Sequence, residues 1–300
     1  MTEPPPTARA AVAALRTWTR GKQRAPHKPL LLLLALGRLQ RGCDRLVAFR
    51  EVEKPLADLL REFGPTRRST HPEYPFWRLQ HDGLWEVPDG ASLRPRASNT
   101  DPPVTELRRV TGGFPASLQA QLQSDAKLVS ELAGRILADH FPASIHAALL
   151  SAVGLDIDAM QVQVRRVRDP RFREAVLRAY GYQCSVCGLN PQLDGLAVGL
   201  EAAHVHWHCR KGPDLVENGL CLCPLHHMAL DMGLFGLADN CLIHVSSRLH
   251  GGDAVEAHVG RYHGHPLRGP FHGSPRVDRM YAEWHRRQVF KGPSRPLPRG

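Results

Sequence analysis

The chain has 300 residues, which is enough for two domains that each have a hydrophobic core. Its formal net charge of +10 and its isoelectric point near 9.6 favour a polyanionic partner, with nucleic acid ahead of an acidic membrane surface. The longest apolar run, from Leu30 to Leu36, is much shorter than the roughly 20 residues of a membrane-spanning helix, and no signal-peptide pattern opens the sequence. We therefore expect a cytoplasmic protein that has no membrane partner.

The first half of the chain has the apolar spacing of helices. Thr7 follows three prolines and is a typical N-cap residue, so a helix is expected to begin directly after it. Residues 47–49 are a short strand candidate, and the turn signal Asp82-Gly83 between the segments 76–79 and 84–87 predicts a β-hairpin. The predicted helices span residues 8–20, 30–40, 55–63, 115–122, 126–140 and 144–153.

A basic segment, residues 16–28, joins the first two predicted helices. It contains five cations and no acidic residue. For such a segment considered alone a solvated loop is the more frequent structure, and contact with phosphates is the alternative. The residues here that could contact DNA are Arg20, Lys22, Gln23, Arg24, His27 and Lys28.

A cluster of aromatic residues opens the predicted hairpin. Aromatic side chains on a strand usually join the core, but the entrance of a strand often leaves them exposed. The cluster consists of Tyr74, Pro75, Phe76, Trp77 and Arg78. In the loop-rich stretch that follows, the hydroxyl of Ser98 and the amide of Asn99 are further candidates for phosphate contact.

Several blocks of this half resemble the DNA sulfur-binding domain of bacterial restriction endonucleases that act on phosphorothioate-modified DNA. The blocks cover about residues 8–156 and read RAPHKPLLLLLALGRLQRG, FREVEKPLADLLREFGP, PEYPFWRLQHDGLWEV, GGFPASL and FPASIHAALLSAVGLD. The resemblance implies that this part of the chain binds double-stranded DNA at a phosphorothioate linkage.

The chemistry of that linkage assigns roles within the implied site. Sulfur replaces one non-bridging phosphate oxygen and is larger and a poorer hydrogen-bond acceptor. An apolar wall therefore disfavours an ordinary phosphate by roughly 1–3 kcal/mol, because the oxygen loses water without gaining donors. The resemblance implies that Tyr74 and Pro75 form the wall, while the cations before them hold the remaining anionic oxygen. Arg78 or Gln23 is expected to read the edge of a neighbouring base.

A domain boundary is predicted where residues 154–168 lack helical periodicity. We expect a first domain over residues 1–156, a linker over 157–169 and a second domain over 170–300. In the second domain, residues 171–180 are predicted to be helical, and 276–290 are expected to form a helix that packs on the core of this domain.

Two pairs of metal-ligand residues enclose the middle of the second domain. Cys184 and Cys187 have the spacing of a zinc knuckle, and Cys223 with His226 supplies the matching pair. These four residues predict a structural zinc site. Cys221 competes with Cys223 for a place in it, but its one-residue spacer is more typical of a strand. Seven cysteines with this clustering favour metal binding over a disulfide framework.

The segment between the pairs resembles the HNH, or ββα-metal, nucleases. A predicted strand over residues 200–204 ends in EAAH, Asn218 marks the return turn, and a helix follows Cys223. The resemblance implies that His204 is the general base that deprotonates the attacking water, that Asn218 fixes the loop and orients this base, and that His227 binds a divalent ion.

The residues available to bind that ion differ from those of many HNH nucleases. His227 and Asp231 lie four residues apart on one helical face, so both can bind one cation. Many HNH nucleases have a metal-binding Asp or His directly before the base, but Ala203 precedes His204 here. Glu201 or a water molecule is the candidate for the third position. We expect Mg²⁺ or Mn²⁺, with Co²⁺ or Ni²⁺ as further candidates.

The sequence thus predicts an α+β protein, with a mainly helical sulfur-binding domain that contains a short β-hairpin and a zinc-stapled ββα-metal domain. The favoured function is a restriction endonuclease that cuts DNA near a phosphorothioate. The alternatives are a non-catalytic reader of modified DNA and a non-specific nicking nuclease. Because one HNH site cuts one strand, a break in both strands requires either a homodimer or two successive cuts.

Overall fold

The computed structural model describes residues 7–15, 17, 25–96, 101–157, 170–271 and 273–297. The chain divides into two compact units, Met1–Val164 and Arg165–Gly300, and its class is α+β, as predicted. Within the described ranges, no helix combines the length and the apolar character that a membrane span requires.

The first unit is a bundle of helices around α2. This helix contains the apolar run, and every residue from Pro29 to Gly37 is buried, which explains why it lacks a polar face. A short antiparallel pair joins β1 to β2, with Leu46 opposite Gly113 and Ala48 opposite Thr111. The elements are α1 (Ala8–Ala13), α2 (His27–Gln40), β1 (Leu46–Ala48), α3 (Phe49–Phe63), α4 (Glu73–Arg78), α5 (Val104–Leu107), β2 (Thr111–Gly113), α6 (Ala116–Ser124), α7 (Ala126–His140) and α8 (His146–Val153).

Two of the predicted helices differ from the observed ones by more than three residues at one end. Helix α1 begins as predicted, with the Thr7 hydroxyl accepting a hydrogen bond from the Ala10 N–H, but it ends at Ala13. Helix α3 begins before Pro55, because Phe49 and Val52 extend its buried face by nearly two turns. The sequence predicts a helix that starts at Pro55, but this proline lies inside the helix.

The predicted hairpin over residues 76–87 is wrong. Residues 73–82 form α4 and a following 3₁₀ turn, because Phe76 and Leu79 are three apart and both enter the core. Gly83 has φ of 69° and ends this helical segment, so the Asp-Gly signal marks a left-handed cap. Only Glu86 makes a β-bridge there, to Gly113.

The second unit contains the predicted ββα arrangement. Strands β5 and β6 are antiparallel, with Glu201 opposite Leu222 and His204 opposite Gly219. Helix α10 follows directly, and both strands and this helix contribute residues to one buried core. They are α9 (Pro170–Ala179), β3 (Gln192–Leu193), β4 (Leu196–Ala197), β5 (Glu201–His204), β6 (Gly219–Leu222), α10 (Pro224–Asp231), β7 (Phe235–Leu237), β8 (Ile243–Val245), α11 (Asp253–His258) and α12 (Arg279–Gln288).

Helix α12 is the predicted helix near the end of the chain, and it packs on the core of the second unit. Tyr281 and Trp284 are buried, whereas Met280 is 45% exposed. Trp284 stacks on the ring of His206, with centroids 4.2 Å apart. His206 is therefore buried, although it lies in the loop between β5 and β6.

Candidate functional site

Four ligand atoms from the two predicted pairs converge in the second unit. The Sγ atoms of Cys184, Cys187 and Cys223 and a ring nitrogen of His226 all lie within 4.8 Å of one another, and the cluster could hold a metal ion. The local folds explain the convergence, because the first pair precedes the ββα hairpin and the second pair spans the start of α10.

The orientation of His226 fits a ligand role. Its Nδ1 is 3.1 Å from the Sγ atom of Cys223, and its Nε2 donates a hydrogen bond to the carbonyl oxygen of His258, at 2.8 Å. This bond fixes the tautomer and leaves the Nδ1 lone pair facing the thiols. Three thiols and one imidazole form a donor set typical of structural zinc.

Cys221 lies outside this cluster. It occupies strand β6, has no exposed surface, and burial raises the pKa of its thiol to about 12. Its Sγ atom is not among the four ligand atoms that converge within 4.8 Å of one another. The strand interpretation of its one-residue spacer agrees with this position.

His204 ends strand β5 and lies in a narrow, mostly buried position. Its ring stacks on Phe172 of α9, with centroids 4.2 Å apart and planes inclined by 20°. Its Nε2 is 2.7 Å from Oδ1 of Asp214, a loop residue that sequence reasoning did not identify. The imidazole is therefore held by a ring on one side and a carboxylate at one edge.

Asn218 is completely buried and ties the loop between β5 and β6 together. Its Oδ1 accepts a hydrogen bond from the N–H of His206, at 2.7 Å, and its Nδ2 donates to the carbonyl oxygens of His206 and Pro213, each at 3.0 Å. Both amide hydrogens are used within the protein, so this side chain supports the loop and does not face a substrate.

His227 lies between two carboxylates. Its Nδ1 is 2.5 Å from Oε2 of Glu201, and its Nε2 is 3.2 Å from Oδ2 of Asp231, which is the predicted i,i+4 contact on α10. Burial alone would lower the pKa of His227, but hydrogen bonds to Asp231 and Glu201 outweigh it and raise this pKa to about 9.

The three residues suit a divalent ion in their chemistry but do not surround one point. Imidazole and carboxylate donors match the preferences of Mg²⁺ and Mn²⁺. However, the two carboxylates meet opposite ring nitrogens of His227, so this ring separates them. Rotation of the exposed Glu201 side chain or of the ring would be needed to bring all three donors to one ion.

Helix α12 supports the elements that carry these residues. The Nε2 atom of His285 donates to the carbonyl oxygen of Leu230, one residue before Asp231, at 2.9 Å. The N–H of Asp278 donates to the carbonyl oxygen of Glu217, next to Asn218, at 2.9 Å. The end of α10 and the start of β6 are thereby held by one helix.

The first unit contains an open pocket of about 560 Å³. Tyr74 and Pro75, in the first turn of α4, form part of its wall. Tyr74 is partly exposed, and Arg78 lies over its ring. The residues around the pocket are Thr17, Ala25, His27, Lys28, Arg67, Arg68, Ser69, His71, Tyr74, Pro75 and Arg78.

The cations of this pocket differ in part from the predicted ones. Arg67 and Arg68 are exposed beside it and were not identified from the sequence, although an adjacent arginine pair between two prolines was the available signal. Lys28 is paired with the buried carboxylate of Asp82, at 2.5 Å. His27 donates to the carbonyl oxygen of Thr70, and burial lowers its pKa to about 4, so this predicted DNA contact is neutral at pH 7.

Two members of the aromatic cluster lie away from the pocket. Phe76 has no exposed surface and packs against Phe49 and Trp85, so the expectation that it contacts DNA is wrong. Trp77 lies against Gly90, where an added Cβ atom would meet its ring at 3.1 Å. Six predicted DNA contacts lie outside the described residues, namely Arg20, Lys22, Gln23, Arg24, Ser98 and Asn99.

Residues 7–158 match the family model of the ScoMcrA-like DNA sulfur-binding domain. The chain belongs to this family. Residues 184–238, which contain the metal cluster and the ββα segment, match the model of an HNH endonuclease. The chain is therefore an HNH nuclease that carries a DNA sulfur-binding domain.

Solved structures similar to the chain were also found. The sulfur-binding domain of ScoMcrA complexed with phosphorothioated DNA is 25% identical with a TM-score of 0.46, and the match covers 53% of this chain and 99% of that one. The type IV phosphorothioation-dependent restriction endonuclease ScoMcrA is 26% identical with a TM-score of 0.45, and the match covers 50% of this chain and 32% of that one. A comparison with curated proteins gave no match.

Proposed function

We propose that the protein is a restriction endonuclease that binds phosphorothioate-modified double-stranded DNA and hydrolyses phosphodiester bonds near the modification. Residues 1–156 would form the DNA sulfur-binding domain, 157–169 the linker and 170–300 the nuclease domain. The two compact units and the two family matches support this division. In this proposal the first domain selects the DNA and the second cuts it.

The observation that carries the proposal is the composition of the pocket in the first unit. An aromatic ring and a proline line one part of it, and cations surround them. Sulfur tolerates such a wall better than oxygen does, because an anionic oxygen would lose hydrogen bonds to water there. The wall therefore provides selectivity for the modified linkage.

The cations provide affinity in a different way. Arg67 and Arg68 are exposed and have flexible side chains, so they suit phosphates on either side of the linkage. Arg78 uses its Nε and Nη2 atoms to bind Asp101 and presents its remaining N–H groups to a phosphate or a base edge. Affinity is expected to depend on salt, whereas selectivity is not.

In the nuclease domain, His204 deprotonates the attacking water, the water oxygen bonds to phosphorus, and the bond from phosphorus to the 3′ oxygen breaks. His227 and Asp231, with Glu201 as the third residue, would hold Mg²⁺ or Mn²⁺, and Co²⁺ or Ni²⁺ suits the same donors. When bound, the ion supplies positive charge that stabilises the scissile phosphate and the leaving oxygen. The Cys/His cluster would hold zinc as a structural element, with four protein ligands and no open position.

The described part of the nuclease domain contains one such site, so each protomer would cut one strand. Cleavage of both strands then follows from a homodimer or from two successive events. Analytical ultracentrifugation on a modified duplex, with one and with two protomers per duplex, separates these routes.

The proposal is tested with two duplexes of the same sequence, one of which contains a single phosphorothioate. Each is incubated with Mn²⁺ and either the wild type or a His204→Ala variant. Cutting of the modified duplex alone, lost in the variant, is the expected result. Equal cutting of both duplexes would overturn sulfur-directed cleavage, and binding without cutting would leave only a reader of modified DNA.

A further inference from the structure

The loop between β5 and β6 brings an acid to the proposed general base. Asp214 lies ten residues after His204, and its Oδ1 is 2.7 Å from Nε2 of this histidine. His204 is 7% exposed in its side chain and Asp214 is 30% exposed, so the contact is partly shielded from water. Asp214 is not one of the three residues of the HNH pattern in this chain, which are His204, Asn218 and His227.

The contact determines which ring nitrogen can accept a proton. An ionised carboxylate only accepts hydrogen bonds, so Nε2 of a neutral His204 must carry the hydrogen. The lone pair then lies on Nδ1, which becomes the basic atom. When Nδ1 takes a proton from water, the ring becomes an imidazolium and the charge of Asp214 stabilises it at a distance of one hydrogen bond.

The backbone around Asp214 is held in a fixed position. The side chain of Asn218 donates a hydrogen bond to the carbonyl oxygen of Pro213, and Pro213 directly precedes Asp214. Gly212 approaches the carbonyl oxygen of His206 so closely that an added Cβ atom would lie 1.7 Å away. A buried asparagine and a glycine that tolerates no side chain therefore fix the segment from which the Asp214 side chain reaches His204.

A solvent-exposed ion pair is the simpler explanation for a contact between an acid and a histidine. Surface pairs of this kind contribute little to stability. Two observations argue for a more specific role here: the ring of His204 is buried against Phe172, and the carboxylate meets it at one edge. A second imidazole, that of His208, is 3.9 Å from the other oxygen of Asp214.

We propose that Asp214 is a positioning residue that orients His204 for water activation and stabilises its protonated form. This inference rests on the proposed role of His204 as the general base. Asn218 then affects His204 indirectly. It holds the backbone of Pro213, which positions the carboxylate of Asp214 next to the histidine.

A mutant cycle tests the proposal through its dependence on His204. Single-turnover cleavage of the modified duplex, at saturating enzyme and with Mn²⁺, is measured for the wild type, Asp214→Ala, His204→Ala and the double variant. Asp214→Ala is expected to lower the rate about 10- to 100-fold, which is less than the roughly 100- to 10,000-fold that a general base supplies, because His204 itself is retained. In the His204→Ala background, loss of Asp214 is expected to have no further effect, because it acts only through that ring.

Three controls separate positioning from folding. Asp214→Asn keeps the shape of the side chain and removes its charge, Asp194→Asn removes an exposed acid from the β3–β4 turn, and bound zinc and the melting temperature are measured for every variant. Asp214→Asn is expected to cleave more slowly, with its zinc content and melting temperature unchanged. Asp194→Asn is expected to cleave at the wild-type rate.

The outcomes distinguish this inference from the proposed function. Asp214 variants that cut at the wild-type rate would overturn the inference, and so would an equal loss from Asp214→Ala in the wild-type and His204→Ala backgrounds. A wild type that binds the modified duplex and does not cut it would instead overturn the nuclease role of the whole site.

Discussion

The guanidinium of Arg78 lies over the ring of Tyr74, with its carbon 4.4 Å from the ring centroid. Asp101 holds this guanidinium through two hydrogen bonds, at 2.8 and 2.5 Å. His71 also stacks on the ring of Tyr74, with centroids 4.6 Å apart and planes inclined by 4°. The pocket wall is thus ordered before DNA arrives, which reduces the entropy lost on binding.

The first prediction concerns this wall. Tyr74→Ala is expected to lower the preference for the modified duplex. The difference in binding free energy between the modified and unmodified duplexes should shrink by about 1–3 kcal/mol, because water can then reach an ordinary phosphate oxygen. Tyr74→Phe keeps the ring and should keep the ratio. Competition binding with the two duplexes measures both, and an unchanged ratio in Tyr74→Ala would place the discrimination elsewhere.

The second prediction concerns phosphate contacts. The slope of log affinity against log salt is expected to become less steep by about 1.8 in an Arg67→Gln/Arg68→Gln variant, since each lost phosphate contact contributes about 0.9. The selectivity ratio should stay the same, because these cations do not distinguish sulfur from oxygen.

The matched control removes two cations from helix α7, Lys127 and Arg135, which do not line the pocket. If Lys127→Gln/Arg135→Gln changes the salt slope as much as the pocket variant does, the effect is one of net charge and the proposed contacts are not supported.

The third prediction concerns the Cys/His cluster. His226→Ala is expected to remove the bound zinc and to lower the melting temperature of the second unit, because structural zinc contributes directly to folding. Cys209→Ser changes a thiol outside the cluster and should leave both unchanged. Elemental analysis measures the zinc content and thermal unfolding measures the melting temperature. A His226→Ala variant that keeps its full zinc content would exclude this ligand set.

The fourth prediction concerns pH. The pKa of His27 is about 4 in the folded chain, mainly because of burial, against an ordinary value of 6.5. Between these pH values the unfolded chain binds a proton at this position and the folded chain does not, so stability falls as pH falls through this window. Above pH 6.5 the residue contributes no pH dependence.

A His27→Gln variant should remove this part of the acid sensitivity while leaving the rest. Denaturant unfolding at pH 7 and at pH 5 measures it, as the difference in unfolding free energy between the two pH values. An equal difference in wild type and variant would show that His27 is not held neutral.

The positions of the candidate metal ligands of the second unit relative to one another could be predicted, because ligand chemistry restricts their spacing in the sequence. The Cys/His cluster consists of two pairs of ligands, and two residues separate the members of each pair. His227 and Asp231 are four residues apart on one helix, so the helical pitch places them side by side. Asp214 could not be found in this way, since it reaches His204 from an irregular loop whose path depends on buried Asn218 contacts.

The first unit was harder to predict at its site. The alternation of residues 76–79 and 84–87 suggested strands, but burial of Phe76 and Leu79 on one helical face decided the structure. Tyr74 and Pro75 were identified through a family resemblance, and their place in the first turn of a helix was not. Arg67 and Arg68 come from a loop, where periodicity carries no information.

The central claim is that the sulfur directs the cut, and a moved modification tests it most directly. Cleavage positions are mapped on two duplexes of one sequence whose single phosphorothioate is displaced by about 10 base pairs, roughly one helical turn. The account predicts that the cuts move by the same number of base pairs and are absent without the modification. Cuts at the same positions in all duplexes would contradict it.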